Sequence, residues 1–277
     1  MKVLSCGAGM QSTALALMSC ENKTKGIIHD KVPIYDAIMF CDLGEEPIWV
    51  YKQVEFIKNA CDQAKIPFYI IDSNLFEHYI NNFGKKRVVS IPFWTIDENG
   101  KKGRMLRNCT MEYKIDVMAK FVKHQLLKYR KGQRMFEFDK KAHEMHIGFS
   151  YEEKHRCKDN PHPMFVNIYP LVEKELVRAD NYKYILEVWG LETKASACTM
   201  CPFHRNYFYK YIRDNHPEDF KKAVQFDNLL EKEQPNTKIK SKLYISRSRK
   251  RITELTEEEL EDKETFEYNG NKIWNGF

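Results

Sequence analysis

The stretch "SACTMCPFH" puts Cys198 and Cys201 two residues apart, with Pro202 ending the turn and His204 close enough to assist. That spacing lets both thiolates face one metal ion, and it also suits a redox pair. Alone it is half a zinc site. A second stretch, "MKVLSCGAGMQSTALALMS", joins a short apolar run to a helical one through Ser5, Gly7, Ala8, Gly9, Gln11 and Ser12. A strand, a glycine turn and a helix start together make a cradle of backbone N–H groups suited to an anion, above all a phosphate. A plain strand-to-helix turn needs only one glycine.

These residues need elements to position them. Met1 to Leu4 reads as a buried strand, and Ala14, Leu15, Leu17 and Met18 recur at helical spacing. "YDAIMFCDLGEEP" reads as a strand ending at Asp42-Leu43-Gly44, with a helix starting behind Pro47. "IPFYIID" and "EMHIGFS" are further strands, and "EYKIDVMAKFVKHQLL" is helical. Alternating strands and helices predict an α/β fold, a Rossmann-like, doubly wound, mostly parallel sheet covered on both faces. Ligands of such sheets bind outside the C-terminal strand ends. Residues 6–12, 42–46 and 150–153 all fall at such ends. Helices are then expected from Asn181 to Gly190, in "NYFYKYIRDN" and in "PEDFKKAVQFDNLLEKE". The expected organisation is an α/β nucleotide-binding domain over 1–205 that carries the cysteine site. A helical extension with a basic, then acidic, tail follows over 206–277.

The 277 residues are 43% hydrophobic and 13% aromatic, as in a globular protein with a real core. No apolar run reaches the roughly 18 residues a membrane span needs, so a cytoplasmic protein is expected. Its eight cysteines are then expected to be free, metal-binding or catalytic rather than paired. Cys6, Cys20, Cys41 and Cys61 read as small buried hydrophobes. The net charge of +6 is modest, but "KHQLLKYRKGQR" and "KIKSKLYISRSRKR" concentrate it. Within the second, "RSRKR" holds four cations in five residues, and Arg247, Arg249, Lys250 and Arg251 are expected to contact a polyanion.

Taken in order, the motifs resemble the PP-loop superfamily (adenine nucleotide α-hydrolase-like, of the HUP type), within it the phosphoadenosine phosphosulfate reductase-like branch. The resemblance spans about residues 1 to 225. The family's Ser-Gly-Gly-x-Asp-Ser loop is similar to "GAGMQS", where Gly9 and Ser12 match, Gly7 and Ala8 replace Ser and Gly, and Gln11 replaces the Asp. "DLGEE" resembles the family's Asp-x-Gly-x-Glu strand end, which implies that Asp42, Gly44 and Glu46 lie near the nucleotide. A carboxylate there would accept from a ribose hydroxyl or hold Mg2+. Otherwise Asp42 is a helix cap and Glu46 a first-turn charge. "RNCTMEYK" resembles an Arg-x-Cys-Thr-x-x-Tyr-Lys stretch, implying that Arg107 and Lys114 meet phosphate or sulfate oxygens. "GFSYEEKHR" is similar to a Gly-x-x-x-Asp-Glu-x-x-Arg segment, which marks Glu153 and Arg156.

The resemblance also places Cys109 near the nucleotide pocket, where it would join Cys198 and Cys201. Three cysteines there suit a [4Fe–4S] cluster with one iron open, as in family members that thiolate tRNA. A zinc ion and bare thiols are the alternatives. The expected activity is ATP-dependent sulfur transfer: ATP is cleaved at the α-phosphate, and a nucleic acid, tRNA or DNA, is thiolated with sulfur from a donor protein. Sulfonucleotide reduction is a second expectation, although no cysteine follows Cys201 to match the reductases' C-terminal nucleophile. A non-catalytic nucleotide-binding or nucleic-acid-binding module is a third, which the Gln11 replacement favours.

Overall fold

Side chains alternate across a strand, so a strand buried on both faces must be apolar at every position. That is the case for the strand Ala37–Asp42, where Ala37 through Cys41 are all buried. The computed structural model describes residues 1–274 and 276. Its central sheet is built from β1 (Lys2–Ser5), followed by helix α1 (Met10–Lys25), and β2 (Ala37–Asp42), followed by α2 (Ile48–Ala64). Then come β3 (Phe68–Asp72), with α3 (Leu75–Asn82), and two short strands outside this sheet, β4 (Trp94–Ile96) and β5 (Lys102–Arg104). Helix α4 (Asp116–Phe121) precedes β6 (His143–Ile147) and β7 (Phe165–Ile168). The sheet is five-stranded, ordered β3-β2-β1-β6-β7 and parallel throughout. The fold is therefore α/β and compatible with a Rossmann-like arrangement. The order reverses direction at β1 and β6, which makes the crevice between their C-terminal ends the expected ligand site.

Both faces are covered. Leu4, Ile38 and Phe40 join one core with Leu15, Val54 and Ile57, whereas Val3, Met39 and Cys41 face a second one with Met118 and Val122. The helix over that second face is irregular. Its first turn, Met111–Ile115, and its last, Val122–Leu126, are π-wound around α4.

The remaining elements are α5 (Pro170–Glu173), α6 (Arg178–Trp189), α7 (Asn206–Asn215), α8 (Pro217–Glu233), β8 (Lys242–Tyr244), α9 (Glu257–Leu260) and the hairpin of β9 (Thr265–Tyr268) and β10 (Asn271–Trp274). Residues beyond 205 do not form a separate core. Phe208, Tyr209, Phe226 and Leu230 pack in the same cluster as Leu4 and Phe40, and β8 pairs with β4. No helix among the described residues is long and apolar enough to cross a membrane. Cys6, Cys20, Cys41 and Cys61 are buried, as expected of small hydrophobes.

The "RSRKR" segment finds partners within the protein. Arg247 pairs with Asp262 at 3.3 Å and Lys250 with Glu259 at 3.0 Å. Arg249 bonds the carbonyls of Thr95, Gly103 and Arg247. Arg251 is buried: its guanidinium donates to Asp227 Oδ1 at 2.6 Å and to the Leu243 carbonyl at 2.8 Å. The run ties the C-terminal part to α8 and the β4–β5 strands, and its charge is largely consumed inside the protein. Breaking a buried ion pair leaves an uncompensated charge, so Arg251→Met should cost about 3–5 kcal/mol of unfolding free energy in urea. An unchanged urea midpoint would show that the pair carries no structural role.

Candidate active site

A cavity of about 410 Å³ opens at the β1–β6 crevice. It is lined by Gly9, Met10 and Gln11 from the start of α1, and by Gly148, Phe149, Glu153 and Arg156 from the segment after β6. Arg107, Cys109 and Lys114 line it too, as do Ser196, Cys198, Cys201 and Phe203. Residues far apart in sequence thus share one wall. The remaining expected residues, Ser5, Gly7, Ala8, Ser12, Asp42, Gly44 and Glu46, do not line it.

The β1–α1 turn is shaped by close approach. A Cβ on Gly148 would lie 2.7 Å from the Ser12 amide nitrogen, so glycine there lets the strand end meet the helix start. A Cβ on Gly9 would lie 2.8 Å from Ser196 Oγ. The atom nearest the space a Gly9 side chain would take is thus the Ser196 hydroxyl. Ser12 Oγ donates to the Gly9 carbonyl at 3.2 Å and is turned away from the cavity. Ala8 adopts φ +56°, a left-handed conformation in which alanine is strained and a glycine would not be.

Gln53 holds this turn to the strap that leads to the cysteines. Its side chain donates to the Ala8 carbonyl and, at 3.1 Å, to the Lys194 carbonyl, while its Oε1 accepts from the Lys194 amide at 2.7 Å. Trp49 adds a bond to the Ala195 carbonyl at 3.1 Å. Gln53 stands in none of the motifs above, and Ser196 only heads the cysteine stretch "SACTMCPFH". Gln53 was nonetheless detectable as a polar residue on the buried stripe of α2, among Val50, Val54 and Ile57.

Gln11 is held by the segment after β6. Its Nε2 donates to Glu153 Oε2 at 3.0 Å and to Ser150 Oγ at 3.3 Å. An Asp at this position would put two carboxylates together without a donor. Glu153 is buried and also pairs with Arg156 and, at 3.9 Å, with Arg178, the first residue of α6. Arg178 lies outside every recognised motif.

Asp42 and Glu46 are placed differently from expectation. Asp42 Oδ1 accepts from the Gly44 amide at 2.8 Å and from the Tyr51 hydroxyl at 3.1 Å, a turn-stabilising arrangement. Glu46 is buried, with Lys114 Nζ 3.8 Å away and no hydrogen bond to either carboxylate oxygen. Burial pushes the Glu46 carboxyl above its ordinary range, and Lys114 opposes that. Burial by itself would lower the Lys114 ammonium, but Glu46 and the thiols of Cys198 and Cys41 hold it above its ordinary value. Lys114 sits in the π-wound turn, a distortion frequent at functional sites.

The thiols are unequal. The Cys198 thiol hydrogen-bonds Cys201 and is pushed well up by that bond and by burial. Cys201 receives that bond, which together with Arg107 and Lys114 lowers it to about 7 against the effect of burial. Burial and the neighbouring Cys201 raise Cys109. His204 donates from Nε2 to the Cys198 carbonyl at 2.9 Å and stacks on Phe208 at 3.4 Å. Burial pulls its pKa down to about 3, so the ring is neutral and braces the turn. No group of three or more His, Cys, Asp or Glu among the described residues could hold a single metal ion as they stand. Glu153, the only carboxylate lining the cavity among those residues, is engaged by Gln11, Arg156 and Arg178.

No protein-family model matches this chain, and no curated protein matches it.

Two measurements test this geometry. Gly9→Ala should lose about 1–3 kcal/mol of stability by overpacking. Adding Ser196→Ala removes the nearest obstacle and should restore part of that loss, and strictly additive effects would disprove the contact. In metal-free protein, alkylation of Cys201 by iodoacetamide requires the thiolate, so its rate should rise through a midpoint near pH 7 and then level off. Cys198→Ala removes the donated hydrogen bond and should move that midpoint upward. A midpoint near the ordinary thiol value in the parent protein would contradict the pairing.

Proposed function

We propose that this protein is an ATP-using enzyme of the PP-loop type that activates a nucleic acid, tRNA or DNA, by adenylylation and replaces the activated oxygen with sulfur. The observation that carries this reading is one shared cavity. It brings together the N-terminus of α1, three thiols and four cations, Arg107, Lys114, Arg156 and Arg178. Helix N-termini favour phosphate through unpaired N–H groups and the positive end of the dipole. The Ser196 hydroxyl lies beside that turn and is a further donor to phosphate oxygens.

An acceptor oxygen attacks the α-phosphorus, the bond to the bridging oxygen breaks, and pyrophosphate leaves with that electron pair. Arg107 and Lys114 meet the charge that builds on the phosphoryl oxygens. Sulfur then attacks the activated atom, and AMP departs with the original oxygen. Cys109, Cys198 and Cys201 would hold an iron–sulfur cluster, which when bound supplies an iron open to sulfur. The donor chemistry fits, because thiolates are the ligands such clusters take and Cys201 is already the readily ionised member of the set. Bracing the Cys198 carbonyl occupies His204 Nε2.

Anaerobically purified protein should contain iron and acid-labile sulfide, and Cys109→Ser should lose most of both while ATP still binds. Adding tRNA or DNA should stimulate pyrophosphate release from ATP. Colourless, zinc-loaded protein would reject the cluster, and pyrophosphate release indifferent to both nucleic acids would reject the acceptor.

A further inference from the structure

Beside the cavity mouth, β5, β4 and β8 form a small antiparallel sheet in that order. Trp94 pairs across it with Arg104 on one side and Tyr244 on the other, and Ile96 pairs with Lys102 and Lys242. Leu243, paired with Thr95, is buried against the core. Side chains alternate, so Arg104, Trp94, Tyr244, Lys102 and Lys242 share the opposite, outward face. Arg104, Lys102 and Lys242 are exposed.

Aromatic rings orient the cations of this face. The Arg104 guanidinium lies 5.4 Å from the Trp94 ring centre and 4.9 Å from that of Phe203, and Arg107 lies 5.0 Å from Phe203. Arg249 lies 5.1 Å from Trp94, its N–H groups directed to three carbonyls. None of Arg104, Arg107, Arg249, Lys102 and Lys242 makes an ion pair with a carboxylate among the described residues. The face is joined to the thiols: Trp94 Nε1 donates to the Pro202 carbonyl at 2.7 Å, and Phe203 and Arg107 line the cavity itself.

We propose that this outward face is a docking track for a single strand of nucleic acid whose target nucleotide enters the cavity. The inference rests on the nucleic-acid acceptor proposed above and names the surface that holds it. Lys102, Arg104 and Lys242, exposed and without carboxylate partners among the described residues, complement a row of phosphates, and the rings of Trp94 and Phe203 fix the Arg104 guanidinium at the rim. The thiols line the interior of the cavity, out of reach of a base inside a duplex, so the nucleotide must be unpaired or extruded. A free nucleotide would need the cavity alone. The track accounts for cations that lie outside it.

The test is fluorescence anisotropy of labelled single-stranded DNA and RNA of roughly 20 nucleotides, with the matching duplex and an acidic peptide as comparisons, across a range of salt. The single strands should bind most tightly. Each phosphate contact on a single strand contributes about 0.7 to the salt slope, so Arg104→Ala with Lys102→Ala and Lys242→Ala should flatten it by about 2. If the triple variant does not fold, the exposed pair Lys102→Ala and Lys242→Ala should still flatten it by about 1.4. An unchanged slope, or tighter binding of the duplex or the peptide, overturns the track. ATP affinity of the parent protein, measured without nucleic acid, reports on the proposed activity separately. ATP bound with no oligonucleotide binding overturns the track and leaves the ATP site standing, and pyrophosphate release on adding tRNA then decides the activity. Oligonucleotide bound with the expected slope change, but no ATP, leaves the track standing and overturns the activity.

Discussion

The site depends on one clamp: the strap from Lys194 to Cys198 lies against the β1–α1 turn, and Gln53 bonds both. A buried amide that spans Ala8 and Lys194 satisfies backbone groups that would otherwise be costly to bury. Ser196 can stand against Gly7 and Gly9 only because neither glycine has a Cβ. The cysteines inherit their position from this contact. The Cys198–Cys201 turn begins where the strap ends, and it is fixed further by Thr199 donating to the Glu45 carbonyl at 2.8 Å and by His204. The β1–α1 turn and the thiols are therefore one mechanical unit, although they lie far apart in the sequence.

Electrostatics divides the cavity into two regions. On the β6 side, Glu153 is surrounded by Gln11, Ser150, Arg156 and Arg178, a hub whose charge is balanced where it sits. On the thiol side, Arg107 and Lys114 act on Cys201, with Glu46 beside Lys114. Thiolate and phosphate are favoured by the same two cations. A negatively charged ligand bound there would compete with Cys201 for them, which couples ligand binding to thiol reactivity through charge alone.

The small β5–β4–β8 sheet gives the C-terminal part of the chain its purpose. Residues beyond 205 supply one of its strands, the aromatic packing beneath it and the Arg251–Asp227 pair that anchors it to α8. It is therefore part of the frame that flanks the cavity mouth, reached from the cysteine turn through Trp94 and Pro202.

Local pattern was enough to read the central architecture from the sequence. Apolar runs gave β1, β2 and β3, helical spacing and Pro47 gave α2, and Gly190, at φ +67°, closes α6 as a left-handed cap should. Nine of the expected site residues do line one cavity, because strand ends and glycine turns are local signals and a parallel sheet gathers them at one edge. Local signals could not tell which polar group would face which. Asp42 turned to its own backbone and Glu46 to Lys114, Ser12 bonded Gly9, and the basic run at 247–251 paired with acids distant in sequence. The three-residue strands β4, β5 and β8 are too short to carry a period, and β8 joins the local β4–β5 pair only through long-range pairing, as of Trp94 with Tyr244. Ser196, Gln53 and Arg178 gained their roles the same way. A side chain's partner is fixed by long-range packing, and only the tertiary structure decides that.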